Sequence, residues 1–372
     1  MRFLLAGLAC LALGVGLTEY NRRHASKTDP TSAEPADPGT PDGKKKPKYP
    51  KAVATLLETD VPGTDSPTAS PELASSLSVP EGSAAAGFAP IAGGAFSARE
   101  LRGGFGAALF VMEVNGKSGL VRASPGDKPK LLFSREGTIG AVSVDGSTVF
   151  FSAGGLVAST HARGGEPVVV RARFKNAVVT SLASSGDLVV VTLMPSGVDP
   201  LSTDPVGAVA AISSDGEVTL IAQEQVHPRA AHTDGKDAFW IAGFPSGLYR
   251  GALDGAFSSQ LSDKAEEPIA LDGDGVFFRS PQGTGAELRR VGRAGGNMQT
   301  LAAADVGFLV ASSGLVRFAT LGAGPKLMEV TAGAEPTEVM SIAGSPRGLA
   351  LGGTTLFLLT TTDDGKSVLL AK

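Results

Sequence analysis

Seven glycine-containing dipeptides return at a near-constant interval through most of this chain. They are Gly103-Gly104, Asp145-Gly146, Ser185-Gly186, Asp234-Gly235, Asp272-Gly273, Ser313-Gly314 and Gly352-Gly353, spaced 42, 40, 49, 38, 41 and 39 residues apart. Asp-Gly and Gly-Gly supply the positive φ that a two-residue hairpin loop requires. A strand of large apolar residues follows each: Leu109-Phe110-Val111, Val149-Phe150-Phe151, Leu188-Val189-Val190, Phe239-Trp240-Ile241, Val276-Phe277-Phe278, Val316-Arg317-Phe318 and Leu356-Phe357-Leu358. A second hairpin then closes each unit, as in Leu120-Val121-Arg122 to Leu131-Leu132-Phe133 around Pro125-Gly126. Four short strands in each repeat of roughly 40 residues make one propeller blade.

Seven units predict an all-β fold, a seven-bladed β-propeller of four-stranded blades over residues 86–372. No long stretch carries a 3.6-residue apolar period, and glycines interrupt every helical candidate. A β-sandwich has strands at similar spacing but does not need seven similar units. The last unit supplies only three strands, near 348–351, 355–360 and 367–371. Residues 87–91 stand where a fourth is missing, and pairing them there would close the ring and remove two open edges.

Units such as VSVDGSTVFFSAGGLVASTHARGGEPVVV, from Val142 to Val170, resemble the bacterial propellers of the NHL-like and TolB-like group. The resemblance covers about residues 86–372. It implies architecture and not activity, because the superfold hosts binders, scaffolds, lyases and lactonases.

Upstream of the repeat the chain has a different character. Residues 3–17 are an apolar run that follows Arg2 and ends before Thr18, Glu19, Arg22 and Arg23. It lies between a signal peptide and a short membrane anchor in length, so residues 1–23 are expected to direct export or hold the chain in a membrane. Cys10, the chain's only cysteine, sits inside this run without a lipobox and reads as a passive helix residue. Without other cysteines the repeat region has neither a disulfide nor a thiolate metal site. Residues 24–85 are rich in Pro, Ser, Thr, Ala and Gly and read as a disordered tether. Lys44, Lys45, Lys46, Lys48 and Lys51 form a basic island that reads as solvated linker. An envelope location follows, in the periplasm or at the cell surface.

The formal net charge of −4 gives no basic footprint for nucleic acid. Nucleophile elbow, Walker loop and dinucleotide fingerprint are all missing from the sequence. His227 and His232, five residues apart, are expected on opposite faces of one strand and make a poor metal pair. Leu271-Asp272-Gly273-Asp274-Gly275 starts like a calcium loop, but the twelfth position is Gly283, so it reads as a hairpin turn. No cofactor and no metal site are expected. Trp240 and the paired phenylalanines, mid-strand, read as core between blades.

The interval of 49 carries about nine extra residues within 194–205, between the second and third strands of its blade. Long loops on a rigid scaffold often carry function. That loop shares a face with the connections that lead into each innermost strand. Those connections are charged: Arg135 and Glu136; Lys175 and Asn176; Glu224, His227 and Arg229; Glu266 and Glu267; Glu335 and Glu338. From them Arg135, Lys175, Asn176, His227, Arg229, Glu266 and Glu267 are the candidate ligand-binding residues. The favoured reading is a monomeric, non-catalytic envelope propeller that binds a protein or glycan partner, held to the membrane through residues 3–17 if these are not cleaved. The alternative is a propeller enzyme, such as a lyase, lactonase or quinone-dependent oxidoreductase, with its site in the central channel.

Overall fold

The computed structural model describes residues 51–60, 64–65, 70–80, 87–199 and 202–372. The apolar run, Cys10 and most of the basic island lie outside them. Among the described residues no helix is long and apolar enough to cross a membrane.

The described strands make seven antiparallel sheets, one for each expected unit. From inside outwards, blade 1 is Ser97–Gly104, Ala107–Val114, Lys117–Ala123 and Lys130–Glu136. Blade 2 is Val142–Asp145, Thr148–Ala153, Leu156–His161 and Val168–Phe174. Blade 3 is Ala177–Ser185, Leu188–Pro195, Gly207–Ile212 and Val218–Gln225. Blade 4 is Arg229–Thr233, Asp237–Ala242, Gly247–Ala252 and Ser258–Ser262. Blade 5 is Glu266–Asp272, Gly275–Gln282, Gly285–Gly292 and Gln299–Ala302. Blade 6 is Val306–Ser312, Leu315–Thr320, Lys326–Thr331 and Thr337–Ser341. Blade 7 is Ser345–Gly352, Thr355–Thr361, Ser367–Ala371 and, from the other end of the chain, Ala89–Gly94.

That last strand pairs antiparallel with the third strand of blade 7, Ala89 opposite Ala371 and Gly94 opposite Ser367. The ring is therefore closed by the expected segment, a few residues further along than 87–91. Six of the seven glycine dipeptides turn the chain between the first and second strands, but most sit one residue early. Asp145 pairs with Thr148 and Asp272 with Gly275, so the aspartates end their strands and the glycines begin the loops. Gly103 and Gly104 lie wholly within the first strand of blade 1, and Phe105-Gly106 makes its turn.

Large apolar side chains from second strands fill the spaces between blades. Trp240 is fully buried among Val190, Val209 and Ile221 of blade 3 and stacks on Tyr249 at 5.9 Å between ring centroids. Its indole N–H donates to Gln225 Oε1 at 2.9 Å. Phe110 and Phe357 play the same part between blades 1 and 7. Each such burial contributes about 2–3 kcal/mol.

The segment expected as disordered linker is partly folded against the propeller. Helix α1 (Lys51–Leu56) buries Val53 and Leu56, Leu56 among core residues of blades 2 and 3. Thr59-Asp60 and then Thr64-Asp65 pair with the outermost strand of blade 2, making a six-stranded sheet. Helix α2 (Pro71–Ser75) buries Leu73 completely in the cluster shared by blades 1 and 7. Ser78 bridges Gly93 on the closing strand. Composition averages hide this: three well-placed apolar side chains and an open strand edge are enough to order a short strap.

Candidate functional site

The inner strands all run the same way along the central channel, because each is reached from the outer rim of the preceding blade. Blade-to-blade connections and second-to-third loops therefore share one face, the loop face. First-to-second and third-to-fourth turns occupy the opposite, hairpin face.

Six of the seven inner strands break their pairing near the loop face. The register shifts fall between Arg99 and Arg102, Val179 and Ser181, Arg229 and His232, Glu266 and Ile269, Val306 and Phe308, and Pro346 and Gly348. A bulge adds a residue that the partner strand does not match and re-aims its side chain. Here the residues so released are Glu100, Thr180, Ala230, Glu267, Gly307 and Arg347, and all six line one central cavity of about 610 Å³. At Gly307 a Cβ would fall 2.4 Å from Leu321 Cδ2, so a larger residue there would have to displace that side chain. Arg102, Ser181, His232 and Thr233 join the lining below the bulges.

The polar groups interlock. Arg102 donates to Glu100 Oε2 at 3.2 Å, and Arg229 Nε lies 3.6 Å from Glu267 Oε1. Arg229 also donates to Ser246 Oγ at 2.7 Å and to the His227 carbonyl at 3.1 Å. Crowding by the cavity wall raises the Glu267 carboxyl above its ordinary range; the Glu100 charge adds to this, and Arg229 and Arg102 oppose it. Yet 53% of that side chain stays in contact with channel water, so its pair with Arg229 has roughly the strength of a surface pair, ~0–1 kcal/mol. His232 is pushed down to about 4, by burial first and by the Arg102 charge second. A neutral imidazole thus faces the channel, offering one donor and one acceptor.

Backbone strain marks one sector. Phe105, Asn115 and Ser313 have positive φ because each precedes a glycine in a two-residue hairpin. Four other non-glycine residues share the left-handed region: Glu100 (55°), Glu224 (55°), His227 (45°) and Ala230 (52°). Three of these stand on the path from blade 3 into blade 4, and that path touches the insertion. His227 Nε2 lies 2.6 Å from the Ser202 carbonyl oxygen, and the ring meets Phe244 edge-on at 5.5 Å. Phe244 is 57% exposed, in the second-to-third loop of blade 4 on the loop face. Such backbone costs about 1 kcal/mol per residue and persists only where the surroundings enforce it, commonly at functional sites.

The sequence-derived candidates divide into two groups. Arg229 and Glu267 reach the cavity mouth, with His227 beside them; Glu266 is at the same level but ion-pairs with Arg279. Arg135 lies on the outermost strand of blade 1, its Nε on the Glu136 carbonyl. Lys175 and Asn176 follow the outermost strand of blade 2. Lys175 pairs with Glu58 and Asp60 of the strap at 3.1 Å each, and Asn176 contacts the Thr55 carbonyl. A connection into a blade crosses about three strand spacings, on the order of 14 Å, so its first residues are peripheral and its last ones central. Glu335 falls in a third-to-fourth turn on the hairpin face, and Glu338 in an outer strand paired with Lys326. His227 precedes the strand that holds His232, so the two are not on opposite faces of one strand. Glu100, Arg102, His232 and Arg347 were not among the candidates.

No family model matches this sequence, and no curated protein matches it. Solved structures do match in fold. An oligogalacturonate lyase from Vibrio parahaemolyticus superposes with a TM-score of 0.59 at 11% identity, covering 85% of this chain and 98% of that one. The β-propeller domain of the Trilobed protease from Pyrococcus furiosus gives 0.56 at 10% identity, over 74% and 95%. An acylaminoacyl peptidase from Pyrococcus horikoshii gives 0.56 at 13% identity, over 74% of this chain. The chain spans about half the length of that peptidase, 51%. This is a propeller repeat protein. At these identities the likeness extends to the fold alone.

Proposed function

We propose that this propeller is a non-catalytic binding module that takes its ligand on the loop face, at the mouth of the channel, for a protein or glycan partner in the cell envelope. The observation that carries the reading is the strained connection of residues 224–230, which stands between the insertion and the cavity and joins both. Strain held in place by the insertion, Ser246 and Glu267 is what a preorganised recognition surface needs. The envelope location rests on the apolar run 3–17 and the proline-rich residues after it.

The test is a hydrogen-exchange footprint of the full-length protein with a glycan or protein retained from an envelope fraction. Protection is expected on residues 196–206, 224–232 and 244–247, and a footprint confined to the hairpin face would sink the proposal. Protease added to spheroplasts should cut the chain before residue 87; protection until lysis would reverse the topology.

A catalytic channel is the second reading. What favours it is one wall-lined cavity holding Glu100, Glu267 and a neutral His232, groups that serve as acids and bases elsewhere. Turnover lost in Glu267→Gln with ligand binding retained would establish it.

A further inference from the structure

The charges of the channel do not cancel. Glu100 is paired with Arg102, and Glu267 with Arg229. Arg347 lines the same cavity and has no acidic partner among the described residues. Its Nε donates to Thr361 Oγ1 at 3.2 Å, which orients the guanidinium plane and leaves its two terminal amino groups for another acceptor.

Position adds to charge. Arg347 is the bulged residue of blade 7, and the next residue, Gly348, packs so tightly on blade 1 that a Cβ would fall 2.7 Å from Leu101 Cβ. Arg347 and Arg102 thus stand on adjacent blades, one residue to either side of the same contact, Arg347 nearer the loop face, and both line the cavity. The Arg102 charge also acts across the cavity, on His232 and Glu267. Two guanidinium groups on one cavity wall, only one of them matched by a carboxylate, suit an oxyanion. A cavity of about 610 Å³ has room for a small metabolite-sized body behind that group.

We propose that the channel binds a small ligand through an oxyanion group, carboxylate or phosphate, held by Arg347 with Arg102 as its second contact. This rests on the loop-face channel being the binding site, and it names the chemistry of what binds there.

The experiment uses the full chain with three probes: glucuronate, inorganic phosphate and glucose, the last an uncharged match for the first. Titration calorimetry gives affinity, and hydrogen exchange on the seven inner strands gives location. Glucuronate, phosphate or both should bind and protect those strands, with glucose at least tenfold weaker; whichever oxyanion binds more tightly identifies the class. Arg347→Gln should weaken that binding roughly tenfold to a hundredfold, the loss of a charge-assisted hydrogen-bonded pair. Arg347→Lys, which keeps the charge but not the fork, should fall between, and Arg163→Gln on the hairpin face should bind like the parent protein. Should Arg347→Gln fail to fold, Arg347→Lys and Arg102→Gln carry the same comparison. Glucose protecting the channel as well as glucuronate does, or affinity unmoved by these substitutions, overturns the oxyanion assignment while leaving the channel as a binding site. Protection of the channel strands by none of the three probes overturns the oxyanion assignment; a partner footprint on the hairpin face is the separate result that would overturn the loop-face reading.

Discussion

His227 holds the insertion to the channel mouth through Ser202: its Nε2 lies 2.6 Å from that residue's carbonyl oxygen. A carbonyl only accepts, so Nε2 carries the proton. The contact is made from a backbone with a φ of 45°, and it ties the insertion to the strained path into blade 4. His227→Ala should free the insertion without unfolding the ring. Limited proteolysis within residues 196–206 is expected to accelerate at least severalfold, with global stability changed by less than about 1 kcal/mol. Unchanged cleavage would mean that the loop is held by other contacts.

His232 makes stability depend on pH. Its folded pKa is lowered from 6.5 to about 4, so between those values the unfolded chain binds a proton that the folded chain does not. The contribution is complete above pH 6.5 and is lost as the pH falls through that window. A shift of this size corresponds to about 3 kcal/mol at most. Urea midpoints of the parent and His232→Asn, compared near pH 7 and near pH 4, should show the substitution flattening the decline. Parallel declines would show that other groups carry it.

Leu73 should be an anchor out of proportion to its helix. Helix α2 has five residues, too few to persist alone, yet Leu73 is wholly buried between blades 1 and 7. Glu72 reinforces it, accepting from Asn115 Nδ2 at 2.7 Å and Lys117 Nζ at 3.0 Å. Leu73→Ala is expected to cost about 2–4 kcal/mol, by denaturant unfolding. Because the strap also bridges the closing strand through Ser78 and Gly93, exchange should quicken along Ala89–Gly94 as well. A loss below 1 kcal/mol would leave the strap a passive cover.

Blade number, second strands, closing segment and insertion were all legible in the sequence, because each is written in local chemistry. Gly-rich turns set the repeat, and runs such as Phe239-Trp240-Ile241 mark strands buried on both faces. The bulges were not legible, since a register shift is a property of two paired strands. That is why Glu100, Thr180 and Arg347 read as ordinary positions when they line the cavity. Nor did charge alone separate Lys175, which the strap holds, from Arg229, which borders the channel. Distance along a connection, from rim to centre, was the missing coordinate.

That coordinate yields the sharpest contrast between candidate residues. Arg229 and Glu267 stand at the mouth 3.6 Å apart, whereas Arg135 lies on an outermost strand and turns back on its own backbone. All three are polar and partly exposed, so a surface read only by charge would treat them alike. If the loop-face mouth is the site, Arg229→Ala combined with Glu267→Ala should weaken ligand binding about tenfold or more, and Arg135→Ala should leave it unchanged. Stability should move little in either, since the mouth pair is wet and worth ~0–1 kcal/mol. Removing both partners together matters, because either alone would leave a charge unmatched beside the cavity and confuse repulsion with lost contact. Binding and melting curves on the same preparations separate the two effects. A loss of affinity with Arg135→Ala equal to that of the double variant would move the site from the channel mouth to the rim.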